Sequence, residues 1–234
     1  MSRFQFSCKF LFNFKYFIYL YVFIGFNLAL SSSYEDFFKA IEFDNPSTVQ
    51  QLLARGFDPN TPSADLQTPL ILAIQKGSTR VSQVLLGSPQ LQVNRPNPND
   101  ETPLMLAALK QQESLVLGLI QRGADVNRPG WTPLHYAATT GHVGILRVLL
   151  EHHAYIDAES PNGTTPLMMA AYYGTPEATK LLLEEGADPL IKNHKGLTAL
   201  DFASNGPHKE SVAFVQAFAN AALAKRVIQP KKAM

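Results

Sequence analysis

One tripeptide returns at a nearly fixed interval, and it limits the fold more than any other feature of the chain. Thr68-Pro69-Leu70, Thr102-Pro103-Leu104, Thr132-Pro133-Leu134 and Thr165-Pro166-Leu167 are followed by a degenerate Thr198-Ala199-Leu200. Successive threonines stand 34, 30, 33 and 33 residues apart. Each copy reads as the start of a helix. The threonine hydroxyl can accept from an orphan N–H of the first turn. Proline suits the first helical position, where no N–H is needed. In the best-formed copy Leu134, Ala137 and Ala138 give one apolar face, and Gly141 offers the left-handed residue that ends a helix. A second helix follows, with Ile145, Val148, Leu149 and Leu150 as its apolar stripe. Three second helices run into a Gly-x-Asp turn: Gly56-Phe57-Asp58, Gly123-Ala124-Asp125 and Gly186-Ala187-Asp188.

A period near 33 residues with Thr-Pro-Leu-His-x-Ala at its head resembles the ankyrin repeat. The likeness covers residues 35–228. It implies an all-α solenoid of about six stacked helix pairs joined by short β-hairpin-like finger turns. The repeats fall at 34–66, 67–100, 101–130, 131–163, 164–196 and 197–228, preceded by a hydrophobic leader helix in 1–33 and followed by a basic flexible tail at 229–234. Thr68, Pro69, Thr102, Pro103, Thr132, Pro133, His135, Thr165, Pro166 and Thr198 are the structural motif positions. The resemblance assigns His135 to the backbone near the turn, and His142 to a structural role as well.

The leader holds Arg3, Lys9 and Lys15, and then an apolar run over 16–26. Ala29-Leu30-Ser31 offers small residues for cleavage after Ser31, with Ser33 as another stop. The run is short for a membrane span, but counting from residue 10 to 30 lengthens it, so an uncleaved anchor and a misassigned start remain the alternatives. Either export reading leaves the positive end inside and the repeats on the far side. A cleaved leader resembles that of exported bacterial ankyrin proteins and implies a periplasmic or secreted location. An uncleaved one implies a membrane-anchored scaffold, touching the bilayer only through residues 10–30.

The leader carries three of the 20 basic residues and none of the 19 acidic ones. The remainder is nearly neutral, which argues against nucleic acid as a partner. The only cysteine, Cys8, is in the leader, so the repeats can form neither a disulfide nor a thiolate metal site. The first repeat lacks the motif and shows Glu35, Asp36, Glu42 and Asp44, as expected of a polar capping unit. Gln111 stands where the helix-ending glycine belongs, which is expected to loosen that turn. Asn60, Asn94 and Asp157 precede their threonines by eight positions but Asn127 precedes Thr132 by five, so the third finger lacks three residues and should leave a notch beside Trp131. Lys225, Arg226, Lys231 and Lys232 make a basic end expected to be mobile.

The chain has no Gly-rich phosphate loop, no H-E-x-x-H and no G-x-S-x-G. The adjacent His152 and His153 point apart and make a poor metal pair. No catalytic, cofactor or metal site is expected. The resemblance instead implies a monomeric module that binds a protein partner on its concave face. The variable positions there are Gln67, Gln75 and Lys76; Glu101, Leu109 and Lys110; Trp131, Thr139 and Thr140; Thr164, Tyr172 and Tyr173; and Leu197. Among them Trp131, Tyr172, Tyr173, Thr139, Thr140, Leu109 and Lys110 form the candidate binding set, since Trp and Tyr are enriched at interface hot spots. The competing reading folds Trp131 over the short finger and packs each tyrosine on the next repeat. Asn162-Gly163-Thr164 reads either as a glycosylation acceptor or as an Asn-Gly turn.

Overall fold

The computed structural model describes residues 32–228. Residues 1–31 and 229–234, and with them most of the leader and the tail, lie outside the described residues. Helix α1 spans residues 32–42 and so takes in Ser32 and Ser33. It is followed by α2 (Pro46–Ala54), α3 (Pro69–Lys76), α4 (Thr79–Leu86), α5 (Pro103–Leu109), α6 (Glu113–Gln121), α7 (Pro133–Thr140), α8 (Val143–Glu151), α9 (Pro166–Tyr172), α10 (Pro176–Glu184), α11 (Ala199–Asn205) and α12 (Lys209–Ile228). No strand is assigned among the described residues. The helices alternate between two layers. α3, α5, α7, α9 and α11 pack in one row, and α2, α4, α6, α8, α10 and α12 in the other.

The tripeptides do what their chemistry predicts. The hydroxyls of Thr68, Thr102 and Thr165 accept from the N–H groups of Ile71, Met105 and Met168. Where proline is missing, before α11, the Thr198 N–H and hydroxyl both donate to Asp201 Oδ2 at 2.7 Å. Those two bonds hold the Asp201 carboxyl below its ordinary range. The first helices are short, so their contact depends on small residues. Ala107, Ala108, Ala137, Ala138, Ala170 and Ala171 are fully buried between rows. At Gly174 even a methyl group would strike the Ala138 carbonyl oxygen, so glycine is required for the close approach of repeats four and five.

Three expectations change. Gln111 does not loosen its turn. It takes the left-handed conformation itself, at φ +57°, as Gly77 and Gly141 do at +74° and +70°. Its closing bonds, Gln111 N–H to Ala108 O and Gln112 N–H to Ala107 O, match those at Gly77 and Gly141. The departure from glycine is therefore a local strain of about 1 kcal/mol rather than a structural defect. Arg226 is not free either. It lies within α12, and its guanidinium meets Asp188 Oδ2 at 2.8 Å. Asp44 is also more than a solvated acid, since it accepts from the Val81 N–H and from Arg80.

Candidate partner-binding surface

An apolar hollow of about 230 Å³ spans repeats three to five along the row of first helices. Leu109 at the end of α5, Trp131 ahead of α7, His135, Tyr136 and Thr139 on α7, and Met169 on α9 line it. Trp131 is 36% exposed and meets the His135 ring nearly edge-on, with centroids 5.2 Å apart. It is neither a free surface ring nor a core residue. Thr139 turns its hydroxyl back to the His135 carbonyl and Thr140 to that of Ala137. Each therefore leaves its methyl group as the part without a polar bond.

His135 is the floor of the site. The Thr132 N–H reaches its Nδ1 at 3.2 Å, and its Nε2 lies 2.9 Å from the Thr164 carbonyl oxygen. An N–H can only donate and a carbonyl can only accept, so the ring is neutral with its proton on Nε2. Burial drives its pKa down to about 4. Repeats three and five put methionine at this position, and the sulfurs of Met105 and Met168 receive the same N–H. Beside it the Tyr136 hydroxyl donates to Glu101 Oε1 at 3.3 Å, and burial, followed by the Glu101 charge, pushes that phenol up to about 12. The wall is thus uncharged and stays so across the physiological range.

Four of the finger turns are built alike. Ser63, Asn97, Ser160 and Asn193 each give a backbone N–H to the carbonyl four residues on, closing four hairpin-like turns. In each of these the same residue's side chain accepts from the backbone across the turn. Finger three has no such residue, because Asn127, although only five positions before Thr132, does the work its counterparts do at eight. Its Oδ1 accepts from the Tyr155 N–H and its Nδ2 donates to the His153 carbonyl. The missing three residues are hence those of the finger stem. Arg128 spans the expected notch, bonding the Asp100 carboxylate at 2.7 Å and the Asp100 carbonyl at 2.6 Å. Gly130 still takes the tip conformation, at φ +80°, that Gly163 and Gly196 take at +75° and +77°.

Of the seven candidate residues, Leu109, Trp131 and Thr139 meet in the hollow. Lys110 is exposed and Thr140 half-buried at the ends of α5 and α7. Tyr172 and Tyr173 lie one repeat on, as a pair with centroids 4.5 Å apart. Tyr173 is 58% exposed, whereas Tyr172 is half-buried and also faces Phe202. Tyr172 thus packs on the next repeat, as the competing reading expects. Tyr136 and Met169 lie outside the candidate binding set. α7 packs between α5 and α9, and that packing brings both residues beside Trp131. Met168 is buried and Met169 half-buried, a split between core and flank. The Asn162 side chain is exposed at its finger tip, accepting from Ser160 and from the Thr164 N–H. Among the described residues there is no histidine, cysteine and carboxylate cluster that could hold a metal ion, and no helix long and apolar enough to cross a membrane.

Two rows of short helices joined by hairpin-like fingers define a helical repeat protein. The chain belongs to the ankyrin-repeat family. Residues 37–129 match a model of ankyrin repeats in three copies, 129–161 a single ankyrin repeat, and 151–203 ankyrin repeats in many copies. It is 43% identical over 90 residues to the Ankyrin repeat and SAM domain-containing protein 6 of Mus musculus, which covers 37% of this chain and 10% of that one. It is 30% identical over 173 residues to the Tyrosine-protein kinase Shark of Drosophila melanogaster, over 72% of this chain and 18% of that one. The chain thus spans less than a fifth of these relatives. Among solved structures, the human ASB11 ankyrin repeat domain superposes with a TM-score of 0.70 at 25% identity, over 78% of this chain and 82% of that one. A chain from the complex of a predatory endopeptidase of Bdellovibrio bacteriovorus with an immunity protein superposes with a TM-score of 0.66 at 27% identity, over 78% and 97%.

Proposed function

We propose that this chain is an exported, non-enzymatic docking module that holds a protein partner on the concave face of its array. The observation that carries the reading is the hollow under Trp131, an uncharged apolar recess beside the exposed Tyr173. A recess of this size and lining suits one apolar side chain of a partner, with Trp131 and the Tyr172–Tyr173 pair as surrounding anchors. The array is preformed, so little ordering entropy is lost on docking. The likeness to a chain from a peptidase–immunity-protein complex supports a protein as the ligand.

Replacing Trp131, Tyr172 and Tyr173 together with Ala is expected to weaken partner binding by about 2 kcal/mol or more. The array should keep its helical circular dichroism, since none of the three is buried core. Partner capture from the native host by the triple variant at the level of the unaltered chain would refute the docking surface. Export rests on the residues ahead of Ser32, and intact mass across a cell fractionation tests it. A soluble species beginning near Ser32 or Tyr34 supports a periplasmic or secreted binder. A full-length species in membranes supports the anchored scaffold, and a full-length cytosolic species refutes both.

A further inference from the structure

Four side chains tie one repeat to the turn of the next, and one of them is chemically unlike the others. Asn60, Asn94 and Asn127 each make two bonds. Their Oδ1 atoms accept from the N–H groups of Gln92, Asp125 and Tyr155 at 2.8, 2.9 and 2.8 Å. Their Nδ2 atoms donate to the carbonyls of Gln90, Gly123 and His153. Between repeats four and five the same place is held by Asp157. Its two oxygens straddle the Asp188 N–H at 3.1 and 3.3 Å, longer than the 2.8, 2.9 and 2.8 Å at which the three asparagine Oδ1 atoms accept. A carboxylate has no proton to give, so the carbonyl of Gly186, the counterpart of Gly123 and His153, receives nothing from it.

We propose that the joint between repeats four and five is tightened by acid: a protonated Asp157 donates its hydroxyl to the Gly186 carbonyl while its other oxygen keeps the Asp188 N–H. The result is the two-bond tie that asparagine makes at the other three joints. The proton comes from solvent and stays on the carboxyl; no other bond changes. The charged group facing Asp157 from a neighbouring element is Asp188, in the turn after α10, which Arg226 of α12 binds at 2.8 Å. On its own connection the other ionisable residues are His152, His153, Tyr155 and Glu159, all exposed. Burial is the largest influence on Asp157 and pushes its carboxyl above the ordinary range. The Asp188 N–H pulls it back, and the Asp188 charge adds to the rise. A carboxyl raised in the folded state favours folding in acid, and that contribution is lost as pH rises through its titration. Neutralising Asp157 also removes a like charge beside Asp188, which leaves Arg226 a less contested partner. The joint therefore couples the last helix of the array to the acidity of its surroundings.

Amide exchange of the full chain tests this, with protection at Asp188 compared to protection at Asp125, whose joint contains Asn94. As pH falls through the carboxylate range, Asp188 protection should rise about five-fold relative to Asp125, the worth of one added hydrogen bond. Asp157→Asn should show that higher protection already at pH 7 and no further gain. Asn127→Asp should transplant the behaviour, loosening the Tyr155 amide at neutral pH and restoring it in acid. Carbon-detected titration of the unaltered chain gives an independent reading, with Asp157 expected above the free side chain. Equal Asp188 protection in the unaltered chain and in Asp157→Asn at pH 7, or an Asp157 carboxyl titrating at or below the free value, would overturn the proposal.

Discussion

His135 shows how much one repeat depends on a single protonation state. Both ring nitrogens are committed to backbone groups, and the neutral form is the only one that satisfies both. Its pKa of about 4 lies below the unfolded value of 6.5, so the unfolded chain binds a proton over that interval and the folded chain does not. Stability is expected to be fully present above pH 6.5 and to fall as pH drops toward 4, by up to about 1.4 kcal/mol per pH unit. Urea unfolding at several pH values checks it, and His135→Met, which copies repeats three and five, should abolish most of that slope. Gln111 makes the opposite case, a strained residue with no visible return. Gln111→Gly should stabilise the array by about 1 kcal/mol, read as a higher urea midpoint at unchanged slope. The histidine's role was legible in Thr-Pro-Leu-His-x-Ala. Its acceptor, Thr164, was not, because that contact joins residues 29 apart that no local pattern links.

At the level of elements, the joints between repeats carry the cohesion that short helices cannot supply alone. Asn127→Ala removes both bonds of its joint and should cost about 2 kcal/mol, with protection lost first at Tyr155. Gly174→Ala should cost at least as much, because the added methyl meets the Ala138 carbonyl and repeats four and five must separate. Helix starts and helix ends could be read from Thr, Pro and Gly, since capping is a local matter. The deletion in finger three could also be counted in the sequence. Its consequence could not: Asn127 takes the work of an eighth-position residue, and Arg128 reaches across to Asp100, both through contacts with other repeats. The hollow was half legible for the same reason. Trp131, Leu109 and Thr139 sit at positions that vary in such arrays, whereas Tyr136 and Met169 join them through the packing of α7 between α5 and α9.

Across the whole molecule, stability and binding both follow from stacking. Each repeat contacts its neighbours, so the array behaves as a chain of joints with a polar cap at one end and the long α12 at the other. The proposed docking surface crosses three repeats and inherits its rigidity from the joints beneath. Trp131 is the only tryptophan in the chain, so its emission reports the hollow without a label. The most direct test is to titrate a captured partner into the full chain while following that emission, alongside the same titration of a Tyr172→Ala, Tyr173→Ala variant. The account predicts a blue shift as the half-exposed indole is covered, and a Kd raised about ten-fold or more in the variant. A partner that binds the chain tightly with Trp131 emission unmoved and with the same Kd for the variant would contradict it.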